Sequence, residues 1–278
     1  MAEPVRRFPI VAERAEPGTM VSLAPGDAAH LTRVLRLEVG ASVRLFDGRG
    51  GEFDGEVAEI AGPEAVRVRL LGRAEVFTES PLRLTLAQAL LKGGKMDDLI
   101  RQTTELGVTR ILPFFAERSV SRPDPTRLAG KVDRWRRIAR ESLKQCRRSR
   151  EPEVADPLSF AAMLAVGADA ALRLFFWENA AGVGGTSKGR GGSGPGTDPP
   201  ESVFAVLGPE GGFSDAEADA AREAGFAIAG LGPRILRAET ATVAACALLQ
   251  ARFGDLGYPT LERRRGPISN PERPREAP

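Results

Sequence analysis

The stretch Phe204 to Gly225, FAVLGPEGGFSDAEADAAREAG, carries four β-prone residues into a turn holding Gly208, Gly211 and Gly212, and then into a helix. Glycines at the mouth of a helix let a backbone approach a ligand closely, as in phosphate-binding turns. The spacing G-x-x-G-G is neither a dinucleotide fingerprint nor a P-loop, and Glu210 would set a carboxylate against a phosphate. The turn is read as holding something other than a phosphate. A second delivery of the same kind is GLGPRILRAETATVAACALLQ, Gly230 to Gln250. It has a Gly-Pro turn at Gly232 and Pro233, a run bearing Arg234 and Arg237, and a helix of small residues from Glu239 or Thr240. One reading is an ordinary strand–loop–helix connection with two solvated arginines. The other is a pair of loops that embrace a flat, neutral or cationic ligand through N–H and C=O groups. An adenosine-containing sulfonium suits such a site better than a nucleotide does.

A different chemistry is suggested by RWRRIARESLKQCRRSR, Arg134 to Arg150. Trp135, Ile138, Ala139, Leu143 and Cys146 recur at helical spacing and are expected to face a core, while Arg137, Arg140, Lys144 and Arg148 share another face. Eight cationic residues stand against one acid, Glu141. A solvated helix surface is the bland reading. Like charges on one face repel unless an anion meets them, so nucleic-acid phosphates are the expected partner.

These residues need a scaffold, and the sequence describes one. Residues 5–72 alternate with period two between Gly, Pro and Asp punctuation, in VSLAPGD, ASVRLFDGRG, GEFDGEVAEI and EAVRVRLLG, which predicts a small β-rich module. DAAHLTRVLRLEVG, with Ala29, Leu31, Val34, Leu35 and Leu37, predicts a short helix between its strands. From Pro81 strands and helices alternate, with a long helix over 126–146, which predicts a mostly parallel sheet covered on both faces. Ser214 and Glu217 form a capping-box pattern. The Gly/Ser/Pro-rich segment 181–200 reads as a flexible insertion and the polar tail 259–278 as disordered.

The chain has 278 residues, 42% hydrophobic content and a formal net charge of +2. Such a length is enough for two domains, and the charge alone identifies no nucleic-acid binder. No apolar run approaches a membrane span and the first residues lack the apolar core of a signal peptide, so a cytoplasmic location without membrane partners is expected. Cys146 and Cys246 are far apart and His30 is the single histidine, which argues against a disulfide framework and a metal site.

Taken with LAQALLKGGKMDDLI, TTELGVTRILPFFAERSV and HLTRVLRLEVG, the two loops LGPEGGFSDAE and LGPRILRAETA closely resemble the RsmE family of 16S ribosomal RNA uridine-N3 methyltransferases. The resemblance runs from Arg6 to about Phe253. It implies an α/β fold with a SPOUT-type parallel sheet and a C-terminal trefoil knot over 80–256, which general topology rules would not have suggested. It also implies a PUA-like β-barrel domain over 1–75. S-adenosylmethionine is the implied donor, with Leu207, Gly208, Pro209, Glu210, Gly211, Gly212, Leu231, Gly232, Ile235, Leu236 and Thr240 in the two knot loops and Phe176 and Glu178 as a third wall. The implied partner is 16S rRNA, within the small ribosomal subunit. Arg6, Arg7, Arg33 and Arg36 match the family's RNA-binding module, and His30 is either an RNA contact or a core-edge side chain. Two departures stand out: Arg147 where the family usually has glycine, and Arg101, Gln102, Thr103, Thr104 and Glu105 where Gln-Lys-Ala-Thr-Glu is usual.

Methylation at uridine N3 requires loss of the N3 proton, in-line alignment and positive charge near O2 and O4. Arg237 and Arg234 are expected to supply the charge, and Glu239, with Glu210 second, to accept the proton. Glu239 at a helix start is also explained by the dipole alone. The family implies a homodimer through the helix TATVAACALLQARF, with Ala245 and Leu249 expected at its interface. Three rivals remain. A non-catalytic RNA-binding protein has no use for two donor loops, an oxidoreductase requires a dinucleotide fingerprint that is absent, and a transfer-RNA methyltransferase of the same class would lack the N-terminal module.

Overall fold

The computed structural model describes residues 6–11, 16–75, 78–120, 124–182 and 199–257. Strands β1 (Arg6–Pro9), β2 (Met20–Ser22), β3 (Ser42–Phe46), β4 (Glu52–Gly62) and β5 (Ala65–Ala74) form one sheet in the order β1-β3-β4-β5-β2, parallel at β1–β3 and otherwise antiparallel. The period-two alternation puts Val43, Leu45, Val57, Val66 and Val68 into one core, closed by Ala28 and Leu31. Three register shifts between β4 and β5 bend these long strands around it. The four-residue β1 is too short to show a period, and its place in the sheet was not legible.

Helix α1 (Pro25–Ala29) widens into a π-helical turn, His30–Val34, in which the Leu35 N–H bonds to the His30 carbonyl at 3.0 Å. The wider turn keeps Leu31 buried and leaves Val34 exposed, so the regular helical spacing in the sequence ends there.

The second sheet is built from β6 (Arg83–Ala89), β7 (Arg110–Phe115), β8 (Glu153–Val154), β9 (Leu158–Ser159), β10 (Leu172–Phe176), β11 (Ser202–Leu207) and β12 (Ala227–Ala229). Its order is β12-β10-β11-β6-β7-β8, with β9 also on β7, and every pairing is parallel. Both faces are apolar, as a parallel sheet with helices on each side requires. On β11, Val203, Ala205 and Leu207 face one cluster while Phe204 and Val206 face the other. The first cluster is covered by α2 (Lys95–Glu105), α3 (Pro125–Cys146) and α6 (Ala238–Phe253), the second by α4 (Phe160–Val166) and α5 (Asp215–Glu223).

Helix ends follow local chemistry. Asp124 caps α3, its carboxylate accepting from the Arg127 N–H at 3.0 Å, with Pro125 as the first helical residue. The capping box at α5 is present: Ser214 Oγ accepts from Glu217 N, and Glu217 accepts from Ser214 N at 3.0 Å. Arg147 ends α3 with φ of 64°, a left-handed conformation that L side chains disfavour. The family's usual glycine is thereby explained by backbone geometry at a helix end.

The predicted insertion lies, apart from its ends, outside the described residues, as does the predicted tail. Ala245 and Leu249, expected at a dimer interface, are buried in the subunit's own core, at 0% and 5% exposure. Leu248, 60% exposed, is the large apolar side chain on the outer side of α6.

Candidate active site

Because β12, β10, β11 and β6 are adjacent and parallel, their carboxyl ends share one edge of the sheet, where open parallel sheets bind ligands. The turn after β11 has glycines for steric reasons. Gly212 has φ of +66°, and a Cβ there would overlap the Glu178 carboxylate. A Cβ on Gly211 would lie 3.1 Å from Arg118 Cβ, and one on Gly208 3.1 Å from the Phe213 ring. Leu207 and Pro209 are buried beneath the turn while Glu210 and Gly211 face solvent. Phe176 ends β10, and Glu178 continues into the wall against Gly212.

The second loop leaves β12 and enters α6. Gly232 has φ of +96°, Ile235 is exposed, and Leu231 and Leu236 are half-buried. From Gly230 to Leu236 the backbone makes no hydrogen bond within the described residues. Arg234 and Arg237 are exposed and have no ion-pair partner among the described residues, and Thr240 is exposed at the start of α6. The two loops are joined underneath by Gln88 of β6, a fully buried side chain that sequence reading missed. Its Nε2 donates to the Gly208 carbonyl at 3.2 Å, and its Oε1 accepts from Thr242 Oγ1 on α6 at 2.7 Å.

Lys95 was missed as well. Its Nζ lies 3.1 Å from Glu210 Oε1 and 3.2 Å from Glu239 Oε2, and the Lys92 N–H also donates to Glu210 at 3.1 Å. Partial burial works to raise the Glu210 carboxyl, but backbone N–H donors and Lys95 outweigh it and hold the group below the usual carboxylate range. Glu239 is held low by its own N–H first, then by Lys95 and Arg237. A carboxyl drawn downward is a weaker proton acceptor, so this pairing argues against the base role expected for Glu239 and Glu210.

The arginine-rich helix differs from expectation. Most of its partners are acids from outside the helix, which a count along the helix cannot reveal. Arg134 pairs with Asp97, Arg136 with Asp133 and Asp156, Arg140 with Glu151 at 3.1 Å and Lys144 with Asp27. Arg148 is 3% exposed, donating to the Thr104 and Val108 carbonyls and to Glu79, so it is a structural residue and not an RNA contact. Arg7 is corrected likewise. It reaches from β1 to Glu52 and to the Leu143 and Arg148 carbonyls, with its guanidinium over the Phe46 ring. Exposed cations remain at Arg6, Arg36 and Arg137, and Arg33 is loosely paired with Glu64 at 3.8 Å. Between the N-terminal sheet and the end of α3 lies an open cavity of about 620 Å³ lined by Arg6, Phe8, His30, Lys144 and Arg147 among others.

Among the described residues no group of three or more His, Cys, Asp or Glu side chains is placed to hold a metal, and no helix is long and apolar enough to cross a membrane. Cys146 and Cys246 are both free thiols.

Residues 78–250 match the RNA methyltransferase domain family and residues 23–71 the RNA methyltransferase PUA domain family. The ribosomal RNA small subunit methyltransferase E of Synechocystis sp. is 35% identical over 234 residues, covering 83% of this chain and 73% of that protein. The Mycobacterium tuberculosis protein of the same name is 32% identical, covering 81% and 84%. Among solved structures, a putative methyltransferase from Legionella pneumophila in complex with S-adenosylmethionine superposes with a TM-score of 0.77 at 33% identity, covering 91% of this chain and all of that one. The ribosomal RNA small subunit methyltransferase E from Neisseria gonorrhoeae bound to S-adenosyl methionine does so with a TM-score of 0.75 at 30% identity, covering 90% and 99%. With both family models matched in order on the two sheets, and relatives similar over most of their length, the chain belongs to the RsmE family of ribosomal RNA small subunit methyltransferases.

Proposed function

We propose that the chain transfers a methyl group from S-adenosylmethionine to N3 of a uridine in 16S rRNA of the small ribosomal subunit. The observation that carries this reading is the meeting of two loops at the carboxyl edge of β11 and β12, one packed through Gly212 against Glu178 and the other with its peptide groups unpaired within the described residues. Those residues fit the donor. Leu231, Ile235 and Leu236 offer apolar surface for adenine, the free peptide groups of Gly230–Leu236 offer its hydrogen bonds, and Glu178, Glu210 and Glu239 suit a cationic ligand.

When bound, S-adenosylmethionine supplies an electrophilic methyl on a positively charged sulfur. The chain's own residues make uracil a nucleophile. Arg234 and Arg237 bring positive charge to O2 and O4, which stabilises the N3 anion and eases loss of the N3 proton toward the solvent that bathes this loop. Arg6, Arg33, Arg36, Arg137 and the cavity beside His30 and Lys144 form the RNA-facing surface, while Arg140 reaches phosphate only by exchanging Glu151 for it. A homodimer formed through the outer side of α6 at Leu248 brings the donor loops of one subunit toward the arginines of both.

The test is methyl transfer from labelled S-adenosylmethionine to small subunits lacking the modification, followed by mapping of the base. A single N3-methyluridine is expected. Label on another nucleotide overturns the assignment, and a protein that binds RNA but no donor is a non-catalytic binder.

A further inference from the structure

Lys95 opens α2, and its ammonium stands between two carboxylates that come from different loops. Glu210 belongs to the turn after β11 and Glu239 to the first turn of α6, directly after the loop that leaves β12. The two acids thus converge on one ammonium. Left alone, the two charges repel and push the loops apart. The neighbouring groups do not replace Lys95. Asp97 is committed to Arg134 and the Trp135 indole, Asp98 pairs with Arg101, Lys92 contributes only its backbone N–H, and Arg237 bonds to neither glutamate. Both carboxylates raise the affinity of Lys95 for its proton, Glu210 first, so the bridge is charged throughout the neutral range.

We infer that Lys95 is a positioning residue, a clasp that fixes the spacing of the two donor loops through Glu210 and Glu239. The inference rests on the reading of those loops as the donor site. Lys95 itself need not touch the donor; it acts through the loops it joins.

The test is donor affinity by calorimetry on the full chain, using S-adenosylmethionine as the probe. Lys95→Met is expected to weaken binding roughly 5- to 30-fold, what loss of one or two partly exposed charge pairs conveys, and Lys95→Arg to recover most of it. The pH dependence separates a clasp from general damage. In the unaltered protein both carboxyls sit below their usual range, so binding is lost only as pH falls through those lowered values. Removing the lysine raises both and leaves two carboxylates that repel until one is protonated, so the affinity of Lys95→Met is expected to rise as pH falls through those raised values, where that of the unaltered protein does not. In a Glu210→Gln, Glu239→Gln background the two charges no longer repel, and Lys95→Met then costs no further affinity. A Lys95→Met protein with unaltered affinity and pH dependence overturns the clasp, as does a further loss in the doubly neutral background. An unaltered protein that binds no S-adenosylmethionine overturns the donor-site reading and the clasp with it.

Discussion

Glu79 and Arg148, 69 residues apart, are joined by two hydrogen bonds of 3.0 and 3.2 Å with the guanidinium almost wholly buried. The same carboxylate accepts from the N–H groups of Ser149 and Arg150 at 2.8 and 2.9 Å, while the Gly50 N–H donates to the Ser149 carbonyl at 3.1 Å. The segment 148–151 thus fastens the end of α3 to the turn between β3 and β4 and to the residues that lead into β6. Arg148→Ala takes the charged partner from Glu79, which keeps its two backbone N–H donors, and a donor from each of the Thr104 and Val108 carbonyls, and is expected to destabilise the fold by about 3–5 kcal/mol. Urea unfolding measures it; a loss of RNA affinity with stability unchanged would return Arg148 to the RNA surface.

Arg147 calls for the opposite change. Replacing it with glycine removes the cost of a left-handed side-chain-bearing residue, and Arg147→Gly is expected to stabilise the protein by about 1 kcal/mol. A thermal midpoint that falls would show that Arg147 makes contacts exceeding the strain.

Gly212 has no room for a methyl group, since Glu178 occupies its place. Gly212→Ala is expected to displace the turn or the carboxylate and weaken donor binding by about 5- to 150-fold, as strain of about 1–3 kcal/mol at this φ implies. Adding Glu178→Ala relieves the overlap, so the double variant should regain thermal stability that Gly212→Ala loses, while donor binding stays weakened by loss of the Glu178 carboxylate.

On α3, Arg137 is exposed without an acid beside it among the described residues, whereas Arg140 is held by Glu151 through two bonds. Arg137→Ala should therefore weaken RNA binding more than Arg140→Ala and lower the salt slope by about one. Donor affinity should not change. Equal effects of the two substitutions on RNA binding would remove this distinction.

Substitutions on the two sides of α6 should separate assembly from folding. Leu248→Glu is expected to dissociate the proposed homodimer and abolish methyl transfer while the subunit stays folded. Leu249→Glu buries a charge in the core and should unfold it. Sedimentation and circular dichroism read the two outcomes, and an active Leu248→Glu monomer would refute the dimeric site.

A thiol probe reports on the same helix. Burial pushes the Cys246 thiol up to about 12, so it stays protonated at neutral pH and should resist alkylation in the folded protein. Mass spectrometry after maleimide treatment should find Cys246 modified only under denaturing conditions.

Much of the scaffold was legible because its signals are local. Ser214 and Glu217 cap a helix through bonds three residues apart, Gly107 ends α2 in a left-handed turn, and the parallel sheet follows from strands apolar on both faces. The two glycine turns proposed to hold the donor were visible because glycine spacing is itself sequence. What could not be read were partners from afar. Arg148 resembles Arg137 on a helical wheel, and only the folded chain brings Glu79, Thr104 and Val108 to one of them. Lys95 gave no signal of its own, since an N-terminal helix lysine is ordinary until two glutamates converge on it. The two-residue strands β8 and β9 are too short for any periodicity to exist.

The strand order also has a consequence during synthesis. Strand β6 pairs on one side with β7, its neighbour in sequence, but on the other side Arg83 pairs with Ser202 at the start of β11. Until the ribosome has delivered β11, β6 presents an open hydrogen-bonding edge and apolar faces to solvent or a chaperone. Closure of the sheet waits for the most distant pairing, which makes for slow assembly. The loops after β11 and β12 can meet only after that step, so the proposed donor site is acquired last and its binding would report completion of the fold.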